Sequence, residues 1–178
     1  SAMSLMITHK GAFFLTDTHV RRDPSAQEIA EMTLICAEHV RRFGINPKIA
    51  LVSHSDFGSD DTPSALKMRE ALALVHARAP DLECDGEMEA DTALSQMIRD
   101  RVLPSSRLRG EANVLVMPNI DSANIAYQMT KMMADALPVG PILLGAAQPA
   151  HVLTPSVTAR GIVNMTAVAV AEAQSRGA

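Results

Sequence analysis

A short apolar run, Ile49-Ala50-Leu51-Val52, lies between Pro47 and a polar stretch that continues to Asp61. Thr62-Pro63 then opens a helical pattern. A run this short, β-branched at both ends and bounded by turn residues, reads as a buried strand. Pro at the first helical position after a Thr cap reads as a helix start. Strand, hydroxyl-rich loop and helix N-terminus in this order are the repeating unit of an α/β sheet. In such a sheet the loop leaves the carboxyl edge, where ligands bind. The loop offers Ser53, His54, Ser55 and Ser59 as donors beside a helix end suited to an anion. Asp60 and Asp61 place negative charge at the same end and oppose that use. The same residue types also suffice for a turn and a helix cap, so both readings stay open at this point.

The unit recurs. Ala12 to Leu15 is an earlier apolar run, ending in Thr16-Asp17-Thr18-His19. No helix lies between it and Pro24, which suggests an edge position in the sheet. Ser25 and Glu28 have capping-box spacing. The helix they open carries Ile29, Met32, Ile35, Cys36, His39, Val40 and Phe43 at helical spacing and stops at Gly44. The helix from Pro63 ends before Pro80. Leu82 to Glu87 reads as a short polar strand, Glu89 to Ile98 as a short helix, and Pro104 to Gly110 as a basic loop. Ala112 to Met117 is the clearest strand, followed by a helix from Asp121 to Ala136 with Ile125, Met129, Met132 and Met133 toward the core. Val139 to Leu144 and His151 to Leu153 read as two more strands. The last helix, Ala159 to Ser175, is apolar on most faces and predicts cover on more than one side, from this domain or another chain. Ser1 to Met6 is read as a tag remnant or disordered start. The whole predicts one α/β lobe, a three-layer sandwich with a mostly parallel sheet and helices on both faces.

Composition narrows the function. The net charge is −4, with no Trp and one Tyr, which argues against a nucleic-acid surface. No apolar run approaches the ~20 residues of a membrane span, so neither nucleic acid nor membrane is expected as a partner. Cys36 and Cys84 have no metal spacing and are read as buried thiols in a reducing cytoplasm. The six histidines show no zinc spacing, so no metal site is expected. There is no Walker loop and no G-x-G-x-x-G. A triad from Ser53, His54 and Asp56 fails, because neighbours on an extended chain point opposite ways. Arg41-Arg42, Arg107 and Arg109 read as solvated. Three loops are expected at one sheet edge, carrying Ser53 to Asp61, Asn119 with Asn124, and Thr154 with Ser156.

Five runs carry a resemblance: LVSHSDFGSDDTPSALKMREAL (51–72), DLECDGEMEADTAL (81–94), GEANVLVMPNIDSANIAYQM (110–129), VGPILLG (139–145) and ARGIVNMTAVAVAEAQ (159–174). Together they resemble the phosphate acetyl/butyryltransferase family. They are most similar to the version appended to the C-terminus of bacterial NADP-dependent malic enzymes. The resemblance implies the phosphotransacetylase-like C-terminal lobe of a two-lobed domain, with the other lobe and the malic enzyme proper ahead of Ser4. Transferases of this family read Leu-Ser-Arg-Gly-Cys-Ser before the last helix, with an Asp shortly before Ile-Val-Asn. The Ser acts near the thiol and acyl carbonyl, the Arg binds phosphate, and the Asp is a candidate base. Here Thr154, Pro155 and Gly161 occupy those positions. Pro has neither charge nor N–H, and Gly cannot take a proton.

The resemblance therefore implies a non-catalytic regulatory and dimerisation domain that senses acetyl-CoA as effector. The resemblance further implies that the parent oxidatively decarboxylates malate to pyruvate and that acetyl-CoA inhibits it through this domain. NADP and a divalent metal are expected only in the absent malic enzyme part. A homodimer through this domain, a higher homo-oligomer for the full-length protein and a cytoplasmic location follow. The rival readings are an active phosphate acyltransferase that moves an acyl group between CoA and phosphate, and an oligomerisation module whose cleft is empty.

Overall fold

A computed structural model describes residues 1–155 and 157–176. Its first element corrects the reading of the chain start. β1, Ala2–Thr8, is a strand. Ala2, Met3, Leu5 and Met6 are buried, and so is Ser4, whose hydroxyl meets Thr18 Oγ1 at 2.9 Å. Met and Leu favour no strand by themselves, so nothing local separated this run from a disordered start. Its pairing with two neighbours decides it. β1 turns at Gly11 into β2, Gly11–Thr16.

The remaining elements are α1 (Ala26–Arg42), β3 (Ile49–Val52), α2 (Pro63–Arg78), β4 (Cys84–Met88), α3 (Ala90–Leu94), α4 (Gln96–Val102), β5 (Val114–Val116), α5 (Ile120–Met133), β6 (Leu137–Leu143) and α6 (Ala159–Arg176). The six-stranded sheet runs β4-β3-β5-β2-β1-β6. The β2–β5, β5–β3 and β3–β4 pairs are parallel, while β1 is antiparallel to both β2 and β6. Among the described strands β1 alone therefore opposes the common direction. β2 is interior, between β5 and β1, which corrects the edge position expected for it. The N-terminal strand, overlooked in the sequence, covers that edge.

Alternation along β3 sets the layers. Ile49 and Leu51 join Ile29, Cys36, Met68 and Val75 of α1 and α2 on one face. Ala50 and Val52 join Met88, Ala93 and Ala123 on the other. α1 begins with the capping box of Ser25 and Glu28. The helix expected over Glu89 to Ile98 is two helices, broken at Ser95, which caps α4 by accepting from Ile98 N–H. Cys36 and Cys84 are buried and free, and burial pushes the Cys36 thiol up to about 12.

Two further expectations are corrected, and a third is met in part by this chain. His151 to Leu153 is not a strand. The Leu143 N–H donates to His151 Nδ1 at 3.2 Å, so a side chain rather than a ladder fastens this segment. In α5 only Ala123 is buried, while Ile125, Met129, Met132 and Met133 are exposed. The helix meets the sheet through Ala123, with Ala126 and Tyr127 against the core. In α6 Met165 and Glu172 are buried, but Ile162, Val163 and Val170 are exposed, so this chain covers the helix on one side only. No described helix is long and apolar enough to cross a membrane.

Candidate functional site

Because β2 to β6 share a direction, the loops after them leave one sheet edge. At the β3–α2 loop, Phe57 (φ 47°) and Gly58 (φ 89°) take left-handed conformations and turn the chain back on itself. That turn aims the Gly58 N–H at Glu87 Oε1, 2.8 Å away. Ser55 Oγ donates to the same oxygen at 2.8 Å and accepts from Asp60 N–H at 3.1 Å. Ser59 Oγ lies 3.1 Å from Ser55 Oγ and accepts from Asp56 N–H at 3.0 Å. Arg69 Nε stands 3.6 Å from Glu87 Oε2. Glu87 and Ser55 are both fully buried. The anion gathered by this loop is thus the protein's own Glu87 carboxylate.

His54 stays at the exposed rim, its Nε2 3.3 Å from Asp60 Oδ2 and 3.2 Å from Thr62 Oγ1. Asp61 accepts from Arg69 Nη2 at 2.6 Å. The Ser53 hydroxyl is buried without a hydrogen-bond partner among the described residues. Asp56 accepts from Glu89 N–H at 2.8 Å and Thr92 Oγ1 at 3.2 Å, tying the loop to α3.

A second group forms where β2 and β6 end and α5 begins. Buried Asp17 accepts the N–H groups of His19, Val20 and Arg21, each at 3.0 Å. This curls the chain so that His19 Nδ1 lies 2.7 Å from Thr18 Oγ1. The His19 ring meets Tyr127 edge-on at 5.7 Å. Desolvation lowers the His19 pKa, against the opposing pull of Asp17. Asn124 Nδ2 donates to Thr18 O at 3.3 Å, joining α5 to this loop. Asn119 caps α5, accepting from Ser122 N–H at 2.9 Å and Ser122 Oγ at 2.7 Å. Thr154 lines a cleft of about 270 Å³ with His19, Val20, Leu143 and Val152.

The structure therefore sorts the sequence-derived residues into two groups. Ser53, His54, Ser55 and Ser59 share the β3–α2 loop, where Ser55 holds Glu87, Ser59 backs Ser55 and His54 stays at the rim. Asn124 and Thr154 lie near His19, Asn119 serves the helix cap, and Ser156 lies outside the described residues. β3 and β6 are four steps apart in the sheet, about 19 Å at the usual strand spacing. None of the described clefts is lined by both Ser55 and Thr154. His19, Asp17 and Glu87 escaped the sequence reading. The run Thr16-Asp17-Thr18-His19, directly after a strand, was the signal for two of them.

At the base of α6, Val157 N–H donates to Thr154 O at 3.0 Å, and Thr158 Oγ1 accepts from Gly161 N–H at 3.1 Å. A Cβ added at Gly161 would fall 2.8 Å from Val157 Cγ2. A carboxylate side chain has no room there unless stiff, β-branched Val157 moves. Thr154 and Pro155 are exposed. No group of three or more His, Cys, Asp or Glu among the described residues is placed to hold a metal ion.

Comparison with known proteins places this geometry. The family model described as phosphate acetyl/butaryl transferase matches residues 1–170. An NAD-dependent malic enzyme of Rhizobium meliloti is 60% identical over 172 residues, covering 97% of this chain and 22% of that protein. The NADP-dependent malic enzyme of Escherichia coli is 52% identical over 176 residues, covering 98% of this chain and 23% of that protein. Among solved structures, a phosphotransacetylase from Streptococcus pyogenes superposes with a TM-score of 0.94 at 33% identity, covering 98% of this chain and 54% of that one. The chain thus spans under a quarter of the malic enzymes it matches and about half of the transferase. With the match running through β1 to α6, the chain belongs to the phosphate acetyl/butaryl transferase family.

Proposed function

We propose that this chain is a non-catalytic regulatory and dimerisation lobe of a malic enzyme, sensing acetyl-CoA. The observation that carries the reading is the base of α6. Thr154-Pro155 offers no cation for a phosphate, and Gly161 offers neither an acid nor, beside Val157, the room for one. The higher identity to two malic enzymes than to the streptococcal transferase supports the same parent. The parent activity is the oxidative decarboxylation of malate to pyruvate, with a nicotinamide dinucleotide and a divalent metal held outside this lobe. NADP is the coenzyme proposed. The 60% identical relative is named for NAD, so the assay is run with both.

A retired acyl-transfer cleft that keeps its scaffold suits a sensor. Acetyl-CoA then alters the distant activity by binding two enzyme states with different affinity. The ligand-facing residues proposed are Thr154 and Asn124 near His19, with His54 and Ser53 at the rim of the other group; Ser156 is proposed from its place in the sequence alone. The exposed apolar sides of α5 and α6 supply surface for a homodimer and for higher assembly of the full-length protein, in the cytoplasm. The test is a malate-dependent assay of the full-length protein with and without acetyl-CoA, run beside an assay for acetyl phosphate formation. Inhibition by acetyl-CoA with no acetyl phosphate is the expected pair. Acetyl phosphate made at catalytic rates returns the chain to the working acyltransferases.

A further inference from the structure

α6 is held to the domain by few side chains. Met165 enters the apolar cluster with Val168 beside it, and Glu172 is the other buried residue among those described in the helix. A carboxylate taken out of water is tolerated only when it is paired. The described groups that face it come from two elements. From α1, Arg42 Nη1 lies 3.3 Å and His39 Nε2 lies 3.9 Å from Glu172 Oε1. From the β6–α6 connection, His151 Nε2 lies 3.6 Å from Glu172 Oε2. Arg42 Nη1 is also 3.4 Å from His39 Nε2. Arg42, read as solvated, is an exposed residue that also reaches this cluster.

His151 has a second contact that sets its protonation state. Its Nδ1 receives the Leu143 N–H at 3.2 Å. A ring nitrogen accepts only when it carries no proton, so the neutral tautomer bears its hydrogen on Nε2, facing Glu172. An imidazolium has donors at both nitrogens and cannot keep the Leu143 bond. The ring is nearly enclosed, with 4% of its side chain exposed. Desolvation lowers the His151 pKa, although the Glu172 charge pulls the other way.

We infer that Glu172, Arg42, His39 and His151 form a proton-sensitive clasp, which fastens α6 and the β6–α6 connection to α1 and the end of β6 and slackens when His151 takes a proton. Thr154 and Pro155 follow His151 on that connection, so the clasp also sets where the rim of the His19 cleft stands. The inference concerns the motion of α6 and its connection, and it holds whether or not acetyl-CoA binds there. The sign follows from the Leu143 bond at 3.2 Å, which only the neutral ring accepts, and the lowered pKa of His151 agrees with it. The folded state favours the neutral ring, so the fastening is complete above the ordinary histidine range. It is lost as pH falls through that range toward the lower folded value.

Amide hydrogen exchange of the protein between pH 8 and pH 5.5, corrected for intrinsic rates, tests this. Protection of the Leu143 amide and of the α6 amides should fall about tenfold on acidification, while β3 and β5 hold theirs. The substitution His151→Asn supplies an acceptor that does not titrate, and it should flatten the pH dependence at Leu143. Glu172→Gln keeps the shape and removes the charge, and it should lower α6 protection about tenfold already at pH 8. Protection in the unaltered protein that is flat with pH overturns the clasp. So does the same pH dependence in His151→Asn. Both readings stand without the Glu172 variant, should that variant fold poorly.

Discussion

Gly86 and Glu87 show how much one position carries. Gly86 has φ +148°, and a Cβ there would fall 2.6 Å from the carbonyl oxygen of Leu51. Only glycine lets β4 come this close to β3 and bring Glu87 under the β3–α2 loop. Gly86→Ala should therefore cost about 3 kcal/mol in equilibrium denaturation, from overpacking and backbone strain together. Glu87→Ala removes the acceptor shared by Ser55 Oγ and the Gly58 N–H. Because it breaks a buried charged contact, it should also cost about 3 kcal/mol. A loss within about 0.5 kcal/mol, the range of ordinary surface changes, would show that the loop does not depend on this carboxylate. His19 makes a separate test. Its pKa is lowered by desolvation more than Asp17 raises it. The folded state prefers the neutral ring, and the stability this contributes is present above the ordinary histidine range and is lost as pH falls below it. An NMR titration of the ring protons should give a midpoint below that of a histidine in a short peptide.

Among the elements, α5 departs furthest from its sequence pattern. Its apolar residues recur at helical spacing, yet Met132 and Met133 are more than three-quarters exposed. Periodicity measures how apolar a stripe is and says nothing of which surface covers it. With the sheet met through Ala123, the methionine stripe is left for another surface, and a second copy of this chain fits the proposed dimer. A stable face of that kind buries on the order of 1,000 Å² or more in total. Light scattering should accordingly show a dimer at micromolar concentration. Met129→Glu with Met132→Glu should yield monomers without loss of helical circular dichroism. If the double variant remains a dimer, the interface lies elsewhere, with the exposed side of α6 next to be tested. Arg99 is another element-scale device. It is fully buried, and its guanidinium reaches the carbonyls of Thr92 at 2.9 Å and of Leu108 at 3.4 Å, and that of Gly110 as well. It thereby pins α3 and the loop before β5. Replacing it with Met strands those acceptors.

At the scale of the molecule, the chain is one layer-sandwich lobe whose sheet edge carries two separate polar groups rather than one. For the proposed sensor this places the His19 cleft, with Thr154 on its rim, nearest the positions where the family's chemistry resides. The full-length protein should form acetyl phosphate from acetyl-CoA and phosphate at far below the ~10 per second of a median enzyme. Restoring Arg at Pro155 alone should not recover the reaction, because Gly161 still lacks an acid and Val157 closes the space beside it. Recovery in that single variant would show that the missing cation was the whole defect.

What the sequence determined by itself is local. Capping-box spacing at Ser25 and Glu28 set the start of α1, Pro63 that of α2, short apolar runs located β2, β3, β5 and β6, and a short polar run located β4. These are interactions between near neighbours, and residue order is enough to read them. The motif runs carried the family, and the proposal that Thr154, Pro155 and Gly161 leave catalytic positions vacant rests on residue identity alone. The tertiary structure decided what depends on partners distant in the chain. Ala2–Thr8 is a strand because β2 and β6 flank it. Ser55 can be buried because Glu87, thirty-two positions away, accepts the hydrogen bond of its hydroxyl. Asn124 reaches Thr18 across 106 positions, and Arg42 reaches Glu172 across 130. The worth of such contacts depends on desolvation and on which surfaces meet, and neither is defined until the sheet has been assembled.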